Sequence, residues 1–190
     1  MHDDGVRHGQ VNRESTAGKL IASFVLRLAE ARDAAAIAEV HTLSRREALP
    51  YLPTLHTDDE TRAWVTHALL VDQEVWVAEQ EGRVIGIASL GGQDLEQLYV
   101  LPGEQGQGVG SALLAKAMEL RPDELFLWAF QRNKEARTFY EHRGFTAIAW
   151  TDGAGNEEHE PDVRYRWVPG PPAPVEDPAL TRDTGENSDG

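Results

Sequence analysis

Two short segments of this 190-residue chain carry residue types that ligand binding and catalysis use. The first runs from Gln105 to Ser111 and places Gly106, Gly108 and Gly110 directly before an apolar helical pattern. The first N–H groups of a helix have no intrahelical partner and lie at the positive end of its dipole, so they attract anions. Glycine has no Cβ, which lets a phosphate approach the backbone closely. The segment therefore predicts a phosphate-binding turn between a strand and a helix.

Three kinds of phosphate-binding turn can be compared with these residues. A Walker A loop requires Lys and then Ser or Thr after its last glycine, and this pair is absent. A dinucleotide fingerprint requires glycine where Ser111 stands and an acidic residue after the next strand, where Gln131 stands. The remaining pattern, Gln105-x-x-Gly108-x-Gly110, resembles the Q/R-x-x-G-x-G/A loop of the GNAT N-acetyltransferase superfamily. Alone, it also fits a helix entrance without a ligand.

A second segment, residues 133–145, resembles the other GNAT signature, N-x-x-A-x-x-F-Y-x-x-x-G-F. Asn133 is suited to cap a helix, Ala136 and Tyr140 fall on one helical face, and Gly144 is suited to end the helix. The two signatures occur in the family's order and are separated by one strand. The resemblance extends from about residue 26 to about residue 168.

The resemblance implies acetyl-CoA as cosubstrate and assigns residues to its binding. In the family, two parallel strands splay apart at a bulge, and the pantetheine arm pairs with the edge that they expose. That edge corresponds here to Leu98, Tyr99 and Val100, with the Val100 backbone facing the thioester carbonyl. The pyrophosphate would be held by the loop residues Gln105, Gly106, Gln107, Gly108, Val109, Gly110 and Ser111, and the pantetheine arm by Asn133.

Two residues are candidates for proton transfer. By resemblance, Tyr140 is the general acid that protonates the leaving sulfur; the alternative is a packing role beside Phe139. Glu96 lies on the central strand, where several family members carry a catalytic base, although a strand glutamate is often only solvated. Strand alternation places Glu96 and Val100 on one face unless a bulge shifts the register. The glutamate that some relatives carry on the following strand is absent, because residues 125–129 are apolar.

The acceptor should be an amine, bound by loops on the rigid sheet. Tyr51 and His56, between the first two helices, are predicted to shape its pocket, and Glu158, near the last strand pair, is predicted to attract a cationic group. The alternatives are core packing for Tyr51 and plain solvation for Glu158. A small-molecule amine, an antibiotic, a protein N-terminus and a lysine all remain open. So does a non-catalytic acyl-CoA-binding or regulatory module on the same fold.

The periodicity predicts an α/β fold with a mixed, mostly antiparallel sheet and about four helices, in the order β-α-α-β-β-β-α-β-α-β-β. A hairpin over residues 75–90 extends into the strand that precedes the glycine loop, and residues 125–129 form a parallel crossover strand. We predict one acetyltransferase domain over residues 24–169. Residues 1–23 and the acidic, proline-rich residues 170–190 are predicted to be disordered.

Composition narrows the classes of partner. The formal net charge of −14 disfavours nucleic acid and anionic membranes. No apolar run is long enough to span a bilayer, no export signal is visible, and a cytoplasmic location is expected. The absence of cysteine excludes disulfides and an acyl-cysteine intermediate. The histidine spacing predicts no metal site, and a homodimer is left open.

Overall fold

A computed structural model describes residues 24–170 of the chain; the segments predicted to be disordered, residues 1–23 and nearly all of 170–190, lie outside it. None of the helices between Phe24 and Gly170 has the length and apolar character needed to cross a bilayer. The strands are β1 Val25–Leu28, β2 Glu74–Gln80, β3 Arg83–Gly91, β4 Asp94–Val100, β5 Leu125–Phe130, β6 Thr146–Trp150 and β7 Asp162–Trp167. The helices are α1 Ala34–Ala48, α2 Asp58–Trp64, α3 Leu70–Asp72, α4 Val109–Leu120 and α5 Lys134–Glu141.

The described strands form one mixed sheet in the order β1-β2-β3-β4-β5-β7-β6. Strands β1 to β4 are an antiparallel meander, β5 is parallel to β4, and β7 lies antiparallel between β5 and β6. The predicted mixed α/β fold, the hairpin and the parallel crossover are thereby confirmed. The insertion of β7 next to β5 was not predicted.

Helices cover both faces of the central strand β3, and this explains why residues 84–90 are all buried. On one face, a Cβ added to Gly86 would lie 2.9 Å from Val109 Cγ1 and 3.0 Å from Leu113 Cδ1 of α4. Glycine at this position therefore lets α4 approach the sheet closely. On the other face, the His41 ring of α1 packs edge-on against Tyr99 of β4, with centroids 5.1 Å apart.

The helix predicted over residues 57–70 begins as expected. Thr57 and Glu60 form a reciprocal capping box, with Thr57 N donating to Glu60 Oε2 at 2.8 Å. The helix is not regular to its end, because a π-helical turn, Val65–Leu69, separates α2 from α3. Trp64, Val65 and Leu69 still face inward, as the apolar pattern predicts.

Strands β4 and β5 separate soon after they meet. Asp94 and Phe126 are their paired position, and Phe126 N donates to Gln93 O at 2.9 Å. Beyond this point β4 and β5 have no further paired position, whereas the other edge of β5 is paired with β7 along its whole length. The predicted splay between two parallel strands is therefore present, and it opens a gap in the middle of the sheet.

Candidate active site

The backbone of β4 presents polar groups to the gap at alternate residues. Tyr99 lies opposite Ile87 of β3, and Leu101 N donates to Ile85 O at 2.9 Å. Because hydrogen-bonded pairs alternate along an antiparallel ladder, Tyr99 bonds to β3 whereas Leu98 and Val100 direct their backbone groups towards β5. The splay leaves the Leu98 and Val100 N–H groups without a strand partner. These groups are suited to pair with an extended amide or to stabilise an oxyanion.

A cavity of about 510 Å³ occupies the gap and reaches both faces of the sheet. From the α5 side it is lined by Asn133, Ala136 and Tyr140. Further lining comes from residues 95–99 of β4, residues 128–130 of β5, Arg45 of α1, Leu49 directly after α1, and Glu158 of the loop between β6 and β7. The cavity therefore brings together Glu96, Leu98 and Tyr99 of β4 with Asn133 and Tyr140, which are up to 44 residues apart in sequence. Val100, the third residue of the predicted strand edge, is outside the lining.

Tyr140 is buried and borders this cavity. Its ring packs against Phe139 at 5.2 Å and Phe145 at 5.6 Å between centroids, so its direction is fixed. Burial, with a smaller contribution from Tyr99, raises the pKa of the Tyr140 hydroxyl above its usual value. The phenol therefore carries its proton at neutral pH and can donate it. Both predicted roles, packing and proton donation, are compatible with this geometry.

Asn133 is the N-cap of α5, as predicted. Its Oδ1 accepts a hydrogen bond from Ala136 N at 3.0 Å. This bond holds the side chain at the start of the helix, where it lines the cavity. Asn133 is thus rigidly presented to whatever occupies the gap.

The glycine loop lies beside the end of β4, outside the cavity lining. Gly106 and Gly108 have φ angles of +72° and +90°, and Gly108 is the N-cap of α4. A Cβ added to either would have no atom within 4 Å other than those of its neighbours in the chain, so the space in front of the helix entrance is open. Gln105 Nε2 donates to Val100 O at 3.2 Å and so ties the loop to β4. Gln105 is a loop-forming residue here, as the sequence predicts.

Arg143 is a cation at this helix entrance that sequence reasoning missed. Its Nη2 donates to Ser111 Oγ at 2.6 Å in the first turn of α4. Its Nη1 donates to Phe139 O at 2.8 Å, and its guanidinium lies 3.7 Å from the centre of the Phe139 ring. Residue 143 is one of the positions that the family signature leaves variable, so the signature did not indicate a role for Arg143.

Glu96 is the extra residue of a β-bulge. Ser89 lies opposite Gln97 and Leu90 lies opposite Leu95, which leaves Glu96 without a partner on β3. The bulge breaks the alternation, so the expectation that Glu96 and Val100 share a face does not hold. Val100 faces α4, where a Cβ on Gly110 would lie 3.6 Å from Val100 Cγ2, whereas Glu96 Oε1 lies beside Gly91. Partial burial and then the neighbouring Asp94 raise the Glu96 pKa, and Arg164 opposes them.

Replacing Glu96 with glutamine should lower kcat/KM at pH 7, with partial recovery as rising pH deprotonates the amine in solution. The glutamine keeps the shape of the side chain but cannot accept a proton. The measurement is the pH profile of kcat/KM for wild type and variant. A glutamate with only a structural role would give parallel profiles, and that result would remove Glu96 as the base.

An Asp94→Asn variant provides the matched control for this test. It removes the Asp94 carboxylate, which helps to raise the Glu96 pKa. It also removes the partner of Arg164, whose Nη1 lies 2.5 Å from Asp94 Oδ1 in the wild type. Both changes lower the Glu96 pKa. If Glu96 is the base, the acidic limb of the profile should therefore move to lower pH.

A second cavity, of about 490 Å³, lies between α1, α2 and the segment that joins them. Its apolar lining consists of Leu49, Leu52, Pro53, Leu55 and Trp64. His56 lines it, and its Nε2 pairs with Glu157 Oε1 at 3.0 Å. The volume is in the range of small-molecule sites, so this cavity is the candidate acceptor pocket.

Tyr51 lies outside both cavities. Its ring is covered by the Arg132 guanidinium, 4.0 Å from the ring centre, and its hydroxyl is buried without a hydrogen-bond partner among the described residues. Burial raises the pKa of this hydroxyl. The geometry therefore does not support the predicted acceptor role of Tyr51, because its ring packs against Arg132 and does not face either cavity.

Glu158 lines both cavities, but its charge is already offset. Its Oε1 accepts a hydrogen bond from Arg45 Nη2 of α1, across 113 residues of sequence. Arg45 was missed by sequence reasoning. The signal available was its spacing of four from His41, which places both side chains on one face of α1.

His41 completes the wall of the acceptor pocket. Its ring lies between Trp64 and Tyr99, with centroid distances of 5.4 and 5.1 Å. Burial, helped by Arg45 and His56, lowers the His41 pKa to about 4, so the ring is neutral at pH 7. Within residues 24–170, no group of three or more His, Asp or Glu side chains is arranged to hold a metal ion.

Comparison with known proteins agrees with this geometry. Residues 71–147 match the model described as an acetyltransferase (GNAT) domain. The chain is 33% identical over 91 residues to the peptidyl-lysine N-acetyltransferase YiaC of Escherichia coli strain K12. This alignment covers 46% of the chain and 62% of YiaC, so the chain spans less than two thirds of that relative.

Solved structures share the fold. The solution structure of apo YjaB from Escherichia coli superposes with a TM-score of 0.66 at 22% identity, covering 78% of this chain and 99% of YjaB. The PaiA N-acetyltransferase of Thermoplasma acidophilum, solved in complex with coenzyme A, gives 0.62 at 20% identity, covering 77% and 99%. At such identities the likeness establishes the architecture alone.

Proposed function

Since the chain carries an acetyltransferase domain of the GNAT superfamily, we propose that it transfers an acetyl group from acetyl-CoA to an amine. One observation carries the proposal: where β4 and β5 separate, the Leu98 N–H has no strand partner and Leu98 lines the same cavity as Tyr140, with the Val100 N–H two residues further along the same edge. An extended pantetheine arm can add to such an edge as a further strand. The open entrance of α4 at Gly106 and Gly108 is suited to the pyrophosphate.

The proposed reaction is direct attack in a ternary complex. The amine nitrogen forms a bond to the thioester carbonyl carbon, and the Val100 N–H stabilises the resulting oxyanion. The C–S bond then breaks, and the sulfur leaves with a proton from Tyr140. Because an alkyl thiol has a pKa near 8.5 by analogy with cysteine, the sulfur is a fair leaving group even without this acid. Glu96 takes the proton of the incoming ammonium before the attack, because only the neutral amine has a lone pair to form the new bond. After the C–S bond breaks, the acetylated nitrogen gives up its extra proton, which returns the Tyr140 phenolate to a phenol.

The acceptor is proposed to be a primary or secondary amine. An alkylamine has a pKa near 10.4, so at pH 7 it arrives mostly protonated and needs a base. Relatives named peptidyl-lysine N-acetyltransferases, such as YiaC, support an amine acceptor. The acceptor pocket adjoins the gap on the face of the sheet that α1 covers. The amine can therefore reach the gap from this face, whereas Tyr140 borders the gap from the α5 side.

The test is amine-dependent release of free CoA thiol from acetyl-CoA across a panel of amino acids, polyamines, aminoglycosides and lysine peptides. We expect release above the rate without amine for at least one class. Stabilisation by CoA without thiol release from any amine would instead favour the non-catalytic acyl-CoA-binding module.

A further inference from the structure

The two cavities meet at one ion pair. Four residues line both cavities, namely Arg45, Leu49, Gln97 and Glu158. Arg45 and Glu158 are the charged members of this set and are bonded to each other. An acceptor that enters through the pocket between α1 and α2 must pass this pair to reach the gap between β4 and β5.

A charged pair at this position is expected to add little to the free energy of unfolding. The side chains of Arg45 and Glu158 are only 26% and 14% exposed, so both charges lose much of their hydration. The attraction between buried ions often fails to offset this loss, and apolar replacements are frequently tolerated. Removing the partner of either ion would leave an uncompensated charge between the cavities. The pair therefore restricts which charges a ligand can bring to the junction.

The other charged residues of the acceptor pocket already have partners. Arg46 pairs with Asp58 at 2.7 Å, and His56 pairs with Glu157 at 3.0 Å. Glu60 accepts hydrogen bonds from the Thr57 backbone and hydroxyl. His41 is neutral. Arg45 and Glu158 are thus the charges that face both the pocket and the gap.

A simple cationic amine and a zwitterion affect this pair differently. A cationic amine that binds Glu158 has to share this carboxylate with Arg45, so the junction then holds two cations and one anion. A zwitterion brings both charges, so its ammonium can pair with Glu158 while its carboxylate pairs with Arg45. Since Arg45 and Glu158 are in direct contact, the two groups of the ligand must also be close together. A guanidinium is well suited to a carboxylate because it can bind both oxygens.

We infer that the acceptor is an α-amino acid with an apolar side chain, whose carboxylate binds Arg45 and whose amine lies beside Glu158. The inference rests on the proposed acetyl transfer and names the acceptor class for it. The apolar wall formed by Leu49, Leu52, Leu55 and Trp64 accommodates the side chain. The amine then faces the gap, where the thioester of acetyl-CoA is proposed to lie.

The test compares free amino acids with their primary amides. Glycine, L-methionine and L-phenylalanine are each compared with their own primary amide. Nα-acetyl-lysinamide offers the amine of a lysine side chain and has no free carboxylate. The amide has the same side chain and amine, and its amine is less basic, so intrinsic reactivity at pH 7 favours the amide. We expect kcat/KM to favour the acid by about 10- to 100-fold in at least one pair, the scale of a hydrogen-bonded charge pair.

Arg45→Gln should remove this preference, so that the amide becomes the equal or better acceptor, while CoA still raises the melting temperature. Arg121→Gln is the matched control, because Arg121 pairs with Glu74 at 3.2 Å with side chains 18% and 34% exposed, and it lines neither cavity. The control should keep the wild-type ratio of acid to amide.

The outcomes separate the acceptor class from the reaction. If wild type uses the amides as well as the acids, or prefers Nα-acetyl-lysinamide, the inference is overturned and acetyl transfer stands. An absence of thiol release with every amine overturns both. Because the ratio in wild type is decisive by itself, the test does not depend on whether Arg45→Gln folds. Retention of the preference in a folded Arg45→Gln protein would also overturn the role of Arg45.

Discussion

Replacing Tyr140 with phenylalanine is expected to lower kcat by about 10- to 1000-fold while affinity for CoA changes little. The substitution deletes one hydroxyl and keeps the ring that packs against Phe139 and Phe145. Because burial raises the pKa of this hydroxyl, wild type carries the proton at neutral pH and the variant has none to give. The measurement is single-turnover and steady-state thiol release with a saturating amine, together with CoA binding.

Tyr165→Phe is the matched control for this prediction. The ring of Tyr165 lies 6.4 Å from that of Tyr140, but its hydroxyl donates to Glu141 and accepts from Arg137 Nε at 3.2 Å. Tyr165 does not line the cavity, so its variant should lose stability and keep kcat. Wild-type turnover in Tyr140→Phe would reduce Tyr140 to a packing residue.

Replacing Gly108 with valine is expected to abolish the stabilisation of the protein by CoA. A ligand that binds only the folded state adds RT ln(1 + [L]/Kd), which at 100 Kd raises the melting temperature of a domain this size by about 5 to 10 °C. Valine at Gly108 fills the open space before α4 that a pyrophosphate needs. The measurement is thermal unfolding of wild type and variant with and without CoA.

Backbone strain must be separated from lost binding in this experiment. Gly108 has a φ of +90°, which a β-branched residue adopts only at a cost of about 1–3 kcal/mol. Gly103→Val is the control, because Gly103 has a φ of +88° and equally open surroundings, so valine there causes a similar strain. Gly103 lies at the start of the loop and not at the entrance of α4. Both variants should unfold at lower temperature without ligand, and only Gly103→Val should keep the CoA shift. An undiminished shift in Gly108→Val would mean that the loop does not hold the pyrophosphate.

Local sequence was sufficient for the features that neighbouring residues create. The glycines before α4, the Asn133 cap and the Thr57–Glu60 capping box act within a few residues, so their patterns could be read directly. The parallel placement of β5 followed from the helix that connects it to β4. The same local order carries the family resemblance, and with it the prediction that Tyr140 and the β4 edge share a site.

Tertiary structure decided what depends on contacts between distant residues. The bulge places the Glu96 and Val100 side chains on different faces of the sheet, because one extra residue interrupts the alternation along β4. The sequence alone does not show where this interruption falls. Tyr51 packs beneath Arg132 instead of lining the pocket, and Arg143 reaches Ser111 across two helices. Arg45 and Glu158 meet only because the loop between β6 and β7 crosses to α1. Such pairs form where folding brings two opposite charges together in a partly buried place. No single segment of the sequence contains this information.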